Sequence, residues 1–330
     1  MKKILIIRFS SIGDIVLTTP VIRSLKAAQP ETEIHYLTKS AYADLLTPNP
    51  HISAVHVLEK NNWRALMRQL RAEQFDHILD LHHNLRSLRV KLALLRPASS
   101  FDKYNLTKFR MVRLKTPGLA APHIVTRYGE TLRPLGLDLD GGGLDFFLPE
   151  NARHTAQALN AQTGWQGGAP LAVVLGATYA TKRWLPEYFA ETIESYGKPV
   201  ILIGGPDARA EAQFIREAVS VPLLDAVGKY SLAEAAALMQ GCHAVLTHDT
   251  GFMHIAAAFG MKVYSLWGNT VPEFGMTPYR TPHVILETRG LPCRPCSKIG
   301  FDQCPQGHFR CMKDLKPAQV LAALRDEAAT

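Results

Sequence analysis

Twice along this chain, short runs of aliphatic residues alternate with longer stretches of helical period, and this rhythm restricts the possible folds more than any other feature. In the first series, strands are expected at Lys3–Arg8, Glu33–Leu37, Ala54–Leu58 and Asp76–Leu81, with helices running to Gln29 and over Trp63–Ala72 and Leu85–Leu95. In the second, strands are expected at Leu171–Leu175, Pro199–Ile203, Ala244–Thr247 and Lys262–Leu266, with helices near Pro186–Ser195, Asp207–Val219, Ser231–Met239 and Gly251–Phe259. Such alternation implies a parallel sheet covered on both faces, whose strands are apolar throughout. Two doubly wound domains follow, 1–150 and 151–330. The linker is read in the Gly- and Asp-rich Gly136–Asp145 and the polar helix Asn151–Gln162 that leads to Gly167-Gly168. Two such domains place the carboxyl ends of both sheets around a central cleft, where ligands bind. The helix Pro317–Glu327 is expected to pack back on the first domain.

A chain of 330 residues, 47% hydrophobic, is long enough for two cores. Lysine and arginine outnumber aspartate and glutamate by 37 to 29, which suits an anionic partner such as a nucleotide, a nucleic acid or an acidic lipid surface. The cations are read as spread along the chain, and no aromatic-and-basic signature appears, so nucleic acid is set aside. No run of 18 apolar residues occurs, and Arg8 interrupts the signal-like start, so the cytoplasm is the expected location.

The first strand leads into Ser10-Ser11-Ile12-Gly13-Asp14. Gly13 permits a tight turn, and Asp14 either caps the next helix or, at the mouth of a cleft, takes a proton from an attacking hydroxyl. The dinucleotide fingerprint GxGxxG is absent there, which demotes a nicotinamide oxidoreductase. The Gly204-Gly205-Pro206 turn suits either a nucleotide passing close to backbone or a plain strand-to-helix turn. In Thr247-His248-Asp249-Thr250-Gly251-Phe252-Met253-His254, the amides of Thr250 and Gly251 open a helix and suit a diphosphate, although Asp249 and Thr250 also read as ordinary caps. A loop carrying Lys182 and Arg183 offers positive charge to the same group. His82 and His83 are adjacent on a strand end and diverge, which argues against a shared metal. Cys293, Cys296, Cys304 and Cys311 lie close in sequence. They read as reduced, packed thiols ahead of a structural zinc site.

Taken as an ordered set, Ser10 to Asp14 with Thr19-Pro20, Asp80 to Ser87, His123 to Gly136, Lys182 with Trp184 and Pro186, and Asp249-Thr250-Gly251 with His254 resemble glycosyltransferase family 9, the ADP-heptose:lipopolysaccharide heptosyltransferases. The resemblance covers essentially the whole chain. It implies a GT-B fold and inverting transfer of heptose from ADP-heptose to a lipopolysaccharide inner-core acceptor, with no cofactor and no catalytic metal. It implies that Asp14 is the general base, that Lys182 and the amides of Thr250 and Gly251 hold the donor diphosphate, that Asp249 meets the donor sugar and that His254 supports that loop. Gly176, Thr178 and Gly204 would complete the nucleotide contacts; where the family often has paired hydroxyls, this chain has Gly176-Ala177 before Thr178. Ser10, Ser11, Gly13 and Arg86 would line the acceptor side. The partners implied are a nucleotide-sugar donor and an anionic lipid-linked saccharide at the inner face of the cytoplasmic membrane. Transfer of another nucleotide sugar, or an NDP-sugar epimerase or hydrolase of the same fold, is the alternative.

Overall fold

The computed structural model describes residues 2–163, 165 and 169–326. Gly167 and Gly168 of the expected linker, and Glu327 of the expected last helix, lie outside them. The chain forms two compact units: residues up to Tyr104 with Pro122–Phe147, and Asn105–Ala121 with everything from Leu148 on. The boundary is thus crossed three times, and Asn105–Ala121, expected in the first domain, is part of the second unit.

The first unit is built on five parallel strands, β1 (Lys3–Ile7), β2 (Glu33–Lys39), β3 (Ala54–Leu58), β4 (His77–Asp80) and β5 (Ala98–Ser100), in the order β3-β2-β1-β4-β5. The central β1 has Ile4, Leu5, Ile6 and Ile7 without solvent contact, because helices cover both faces of a parallel sheet. The Gly- and Asp-rich stretch is fastened rather than loose. Arg23, on the helix Thr19–Ala28, pairs with Asp140 at 2.6 Å and with Asp145, and donates to Gly143 O at 2.9 Å.

The second unit has six parallel strands, β6 (Leu171–Val174), β7 (Val200–Ile203), β8 (Leu223–Asp225), β9 (Ala244–His248), β10 (Lys262–Trp267) and β11 (His283–Glu287), in the order β11-β10-β9-β6-β7-β8. Both sheets are doubly wound. Asn105–Ala121 joins this unit through Met111, which packs on Val271 and Phe274, and through the Ala121 amide, which donates to Glu273 O at 2.8 Å. The last helix, Pro317–Arg325, expected to pack back on the first domain, is built into the second unit. Its Val320 and Leu324 are buried in the second unit's core, against the helix Pro186–Tyr196.

Candidate active site

In a doubly wound sheet the ligand crevice lies outside the carboxyl ends of the two strands where the winding reverses. In the first unit these are β1 and β4. Arg8, one residue past β1, is 8% exposed and is satisfied on all sides. Its Nε donates to Ser10 O at 2.6 Å, its Nη1 to Leu81 O at 2.7 Å and Tyr128 Oη at 2.9 Å, and its Nη2 meets Asp14 Oδ2 at 2.6 Å. The same Asp14 oxygen accepts from the Ser11 amide at 3.2 Å and hydroxyl at 3.0 Å. Burial by itself pushes the Asp14 carboxyl up, but Arg8 beside it and the two Ser11 donors outweigh that and hold it below the usual carboxylate range. Asp14 therefore caps the turn that opens the helix Ile12–Val16 and is a fixed, ionised group at the strand end. Ser10 is half-buried, Ser11 exposed and Gly13 buried in the same turn.

Asp80 ends β4 with no solvent contact and organises the neighbouring turn. It accepts from the amides of His82 and His83 at 3.1 and 2.7 Å, from Ser87 Oγ at 2.8 Å and from Lys91 Nζ at 2.9 Å. The two histidines diverge as expected. His83 Nδ1 lies 2.7 Å from Phe101 O, while the His82 ring sits edge-on to Phe9 with centroids 5.0 Å apart. Burial, then the Arg8 and Lys103 cations, lower the His82 pKa to about 4, and its buried Nδ1 has no partner. Arg86 is exposed and holds its guanidinium 5.7 Å over the other contact of that ring, Phe9.

In the second unit the winding reverses between β6 and β9. Lys182 Nζ lies 2.6 Å from Asp249 Oδ2 and 3.1 Å from Asp249 O, and Thr270 Oγ1 donates to the same carboxylate at 2.9 Å. Thr250 is the N-cap of the helix Gly251–Ala258, whose first amides have no partner within the helix. His254, one turn in, is 3% exposed. Gly176 takes φ +74°, and a Cβ on Gly204 would stand 3.0 Å from Leu175 O, so both glycines are required where β6 and β7 end side by side. Thr178 is exposed beside them. Of the two cations in the loop, only Lys182 stands with Asp249. Arg183 is tied to Ala177 O at 2.7 Å, Asp207 at 2.6 Å and Glu211 at 3.1 Å, and Glu211 in turn accepts from the Gly176 amide at 3.2 Å.

Two residues that hold these arrangements together carried no role in the sequence reading: Arg8 and His248. His248 has no solvent contact; its Nδ1 lies 3.1 Å from Gly176 O, and the Trp184 amide donates to its Nε2 at 2.8 Å. A carbonyl only accepts and an amide only donates, so the ring is neutral with its proton on Nδ1. Burial lowers its pKa to about 4. One ring thereby joins the ends of β6 and β9 to the loop that carries Lys182.

The four neighbouring cysteines are unpaired; Cys293 Sγ lies 3.8 Å from His308 Nε2, and Cys296 Sγ 3.2 Å from Cys293 O. They do not bring three ligand atoms within 4.8 Å of one another. Among the described residues the one group that does is His35, His56 and Glu73, in the first unit. Its members already have partners: His35 Nδ1 and His56 Nε2 lie 2.9 Å apart, and Glu73 pairs with Lys3 at 2.7 Å.

Residues 63–304 match the model of glycosyltransferase family 9 (heptosyltransferase). Among curated proteins, the chain is 26% identical to lipopolysaccharide heptosyltransferase 1 of Pseudomonas aeruginosa, covering 98% of this chain and 94% of that one. It is equally 26% identical to lipooligosaccharide heptosyltransferase 2 of Haemophilus influenzae, covering 98% of each. Among solved structures, a glycosyl transferase family 9 protein from Veillonella parvula superposes with a TM-score of 0.74 at 24% identity, over 87% of this chain and 86% of that one. E. coli ADP-heptose LPS heptosyltransferase II gives 0.73 at 22% identity, over 99% and 98%. These superpositions agree with two doubly wound units of the GT-B class, and with most of its length matched by the family model, the chain belongs to glycosyltransferase family 9 and is a glycosyltransferase.

Proposed function

We propose that this enzyme transfers heptose from ADP-heptose to an inner-core sugar of lipopolysaccharide, with inversion at the anomeric carbon and without a metal. The observation that carries the mechanism is the Asp14 carboxylate, kept ionised at the end of β1 by Arg8. As the acceptor hydroxyl attacks C1 of the heptose, its proton passes to Asp14, the new C–O bond forms, and the bond from C1 to the diphosphate breaks with ADP as leaving group. On the donor side, Lys182 and the amides of Thr250 and Gly251 meet the charge that develops on the diphosphate, which is the work a divalent ion does elsewhere. In this reading Lys182 leaves Asp249 when the donor arrives, Asp249 turns to the sugar hydroxyls, and His254 backs the loop. Gly176, Thr178 and Gly204 let the nucleotide pass close to backbone; Ser10, Ser11 and Gly13 line the sugar, and Arg86 meets an anionic group of the acceptor. The names of the Pseudomonas and Haemophilus relatives support the heptose and the lipopolysaccharide acceptor; in this reading the reaction takes place in the cytoplasm, at the inner membrane face.

Calorimetric titration with ADP, UDP and GDP, with magnesium or with EDTA, combined with a transfer assay, tests this reading. Wild-type protein is expected to bind ADP selectively in EDTA, and Asp14→Ala to bind it equally while transfer falls by roughly 10²- to 10⁴-fold. Preference for another nucleotide would change the sugar, release of free sugar without acceptor would favour a hydrolase, and an active Asp14→Ala enzyme would remove the base.

A further inference from the structure

The helix Leu85–Leu94 is apolar on two faces. Ser87, Val90 and Leu94 are buried against the unit. At 100° per residue, Leu85, Leu88 and Leu92 fall within an arc of about 60° on the opposite side, and they are 80%, 43% and 62% exposed; Leu95, at the C-cap, is 82% exposed. A helix resting on a sheet needs one such face, and the second has no partner among the described residues. Arg89 lies beside this stripe, with its guanidinium 4.7 Å over the Trp63 ring, and Arg86 lies one step further round.

The charge of the chain is concentrated in the same stretch. Residues 85–115 hold nine lysines and arginines and one acid, Asp102, which leaves 28 cations against 28 acids in all the rest. The reading of the cations as spread along the chain is therefore corrected: the whole net charge of +8 resides in these 31 residues. The combination recurs within them on Asn105–Leu114, where Leu106, Phe109 and Leu114 are 73%, 49% and 63% exposed among Lys108, Arg110 and Arg113.

We infer that the leucine stripe of Leu85–Leu94 is a docking surface for an anionic lipid bilayer, the leucines entering the boundary between headgroups and acyl chains and the neighbouring arginines meeting lipid phosphates. Leucine side chains standing in water beside cations suit such an interface, whereas a nucleic-acid surface has no use for them. No helix of the described residues is long and apolar enough to cross a membrane, so the contact is lateral. The inference rests on the reading of a lipid-linked acceptor, which the stripe would bring within reach of Arg86 on the same helix.

Co-sedimentation of the full chain with phosphatidylcholine vesicles, with and without phosphatidylglycerol, at low and high salt, tests it. The wild-type protein is expected to partition onto phosphatidylglycerol vesicles and to come off partly in salt. The triple variant Leu88→Gln, Leu92→Gln, Leu95→Gln is expected to lose at least about tenfold in partitioning, with its circular dichroism and thermal unfolding unchanged as proof of fold. Equal partitioning of variant and wild type would overturn the inference, as would failure of the wild type to bind phosphatidylglycerol. Binding to a DNA duplex in place of vesicles, or a leucine-dependent dimer in light scattering without vesicle binding, would reassign the face. A wild-type protein that fails to bind ADP or to transfer heptose bears on the proposed reaction alone, since vesicle partitioning requires neither.

Discussion

Replacing Arg8 with methionine would leave the Asp14 carboxylate with only the Ser11 amide and hydroxyl as partners in a site where burial pushes it up. For a base, activity is lost as pH falls through its pKa. The acid limb of kcat/KM is therefore expected to lie below the usual carboxylate range in the wild type and to move upward in Arg8→Met. Parallel pH profiles with superimposable acid limbs would separate Arg8 from the chemistry. The position of Asp14 was legible because a carboxylate just after a strand and a glycine stands out; Arg8 was not, because its partners Leu81 and Tyr128 lie 73 and 120 residues away. An arginine closing an aliphatic run reads locally as an interruption, and only the fold shows what satisfies its charge.

At the scale of elements, the same distance effect separates what the sequence disclosed from what it hid. The strands β1, β4, β6, β7, β9 and β10 are buried along nearly their whole length, and so β1, β6 and β7 appear as continuous aliphatic runs and the others as short apolar stretches. The unread strands β5, β8 and β11 are edges: two are three residues long, and all are partly exposed and carry Ser, Asp, His or Glu. His248 belongs to this scale because it joins three elements. His248→Ala removes both of its hydrogen bonds and leaves a buried gap, at a cost of roughly 2–4 kcal/mol to the second unit. Weakened ADP binding is expected with it, because the loop carrying Lys182 loses its anchor at Trp184. Chemical denaturation and calorimetry check the pair of effects; an unchanged transition would deny the ring its joining role.

For the whole molecule, four histidines shape the response to acid, and one of them, His77 in the first unit, is held below its ordinary value by burial alone. His56 and His82 in the first unit and His248 in the second are lowered from 6.5 to about 4, in each case chiefly by burial. Their unfolded forms bind protons that the folded forms refuse. Their contribution to stability is full above about pH 6.5 and is lost as pH falls toward 4, by up to about 1.4 kcal/mol per pH unit for each. The first unit, with three of the four, is expected to show the steeper fall in a denaturation series across that window; equal slopes would place the proton uptake elsewhere.

The triple crossing of the unit boundary has a consequence for synthesis on the ribosome. Residues Asn105–Ala121 leave the exit tunnel long before what they pack against: Lys115 donates to Cys293 O across 178 residues of chain. At 5–20 residues per second that interval is roughly 10–35 s. Throughout it, a segment carrying Leu106, Phe109 and Leu114 among lysines and arginines projects from a nascent first unit whose own five strands are already complete.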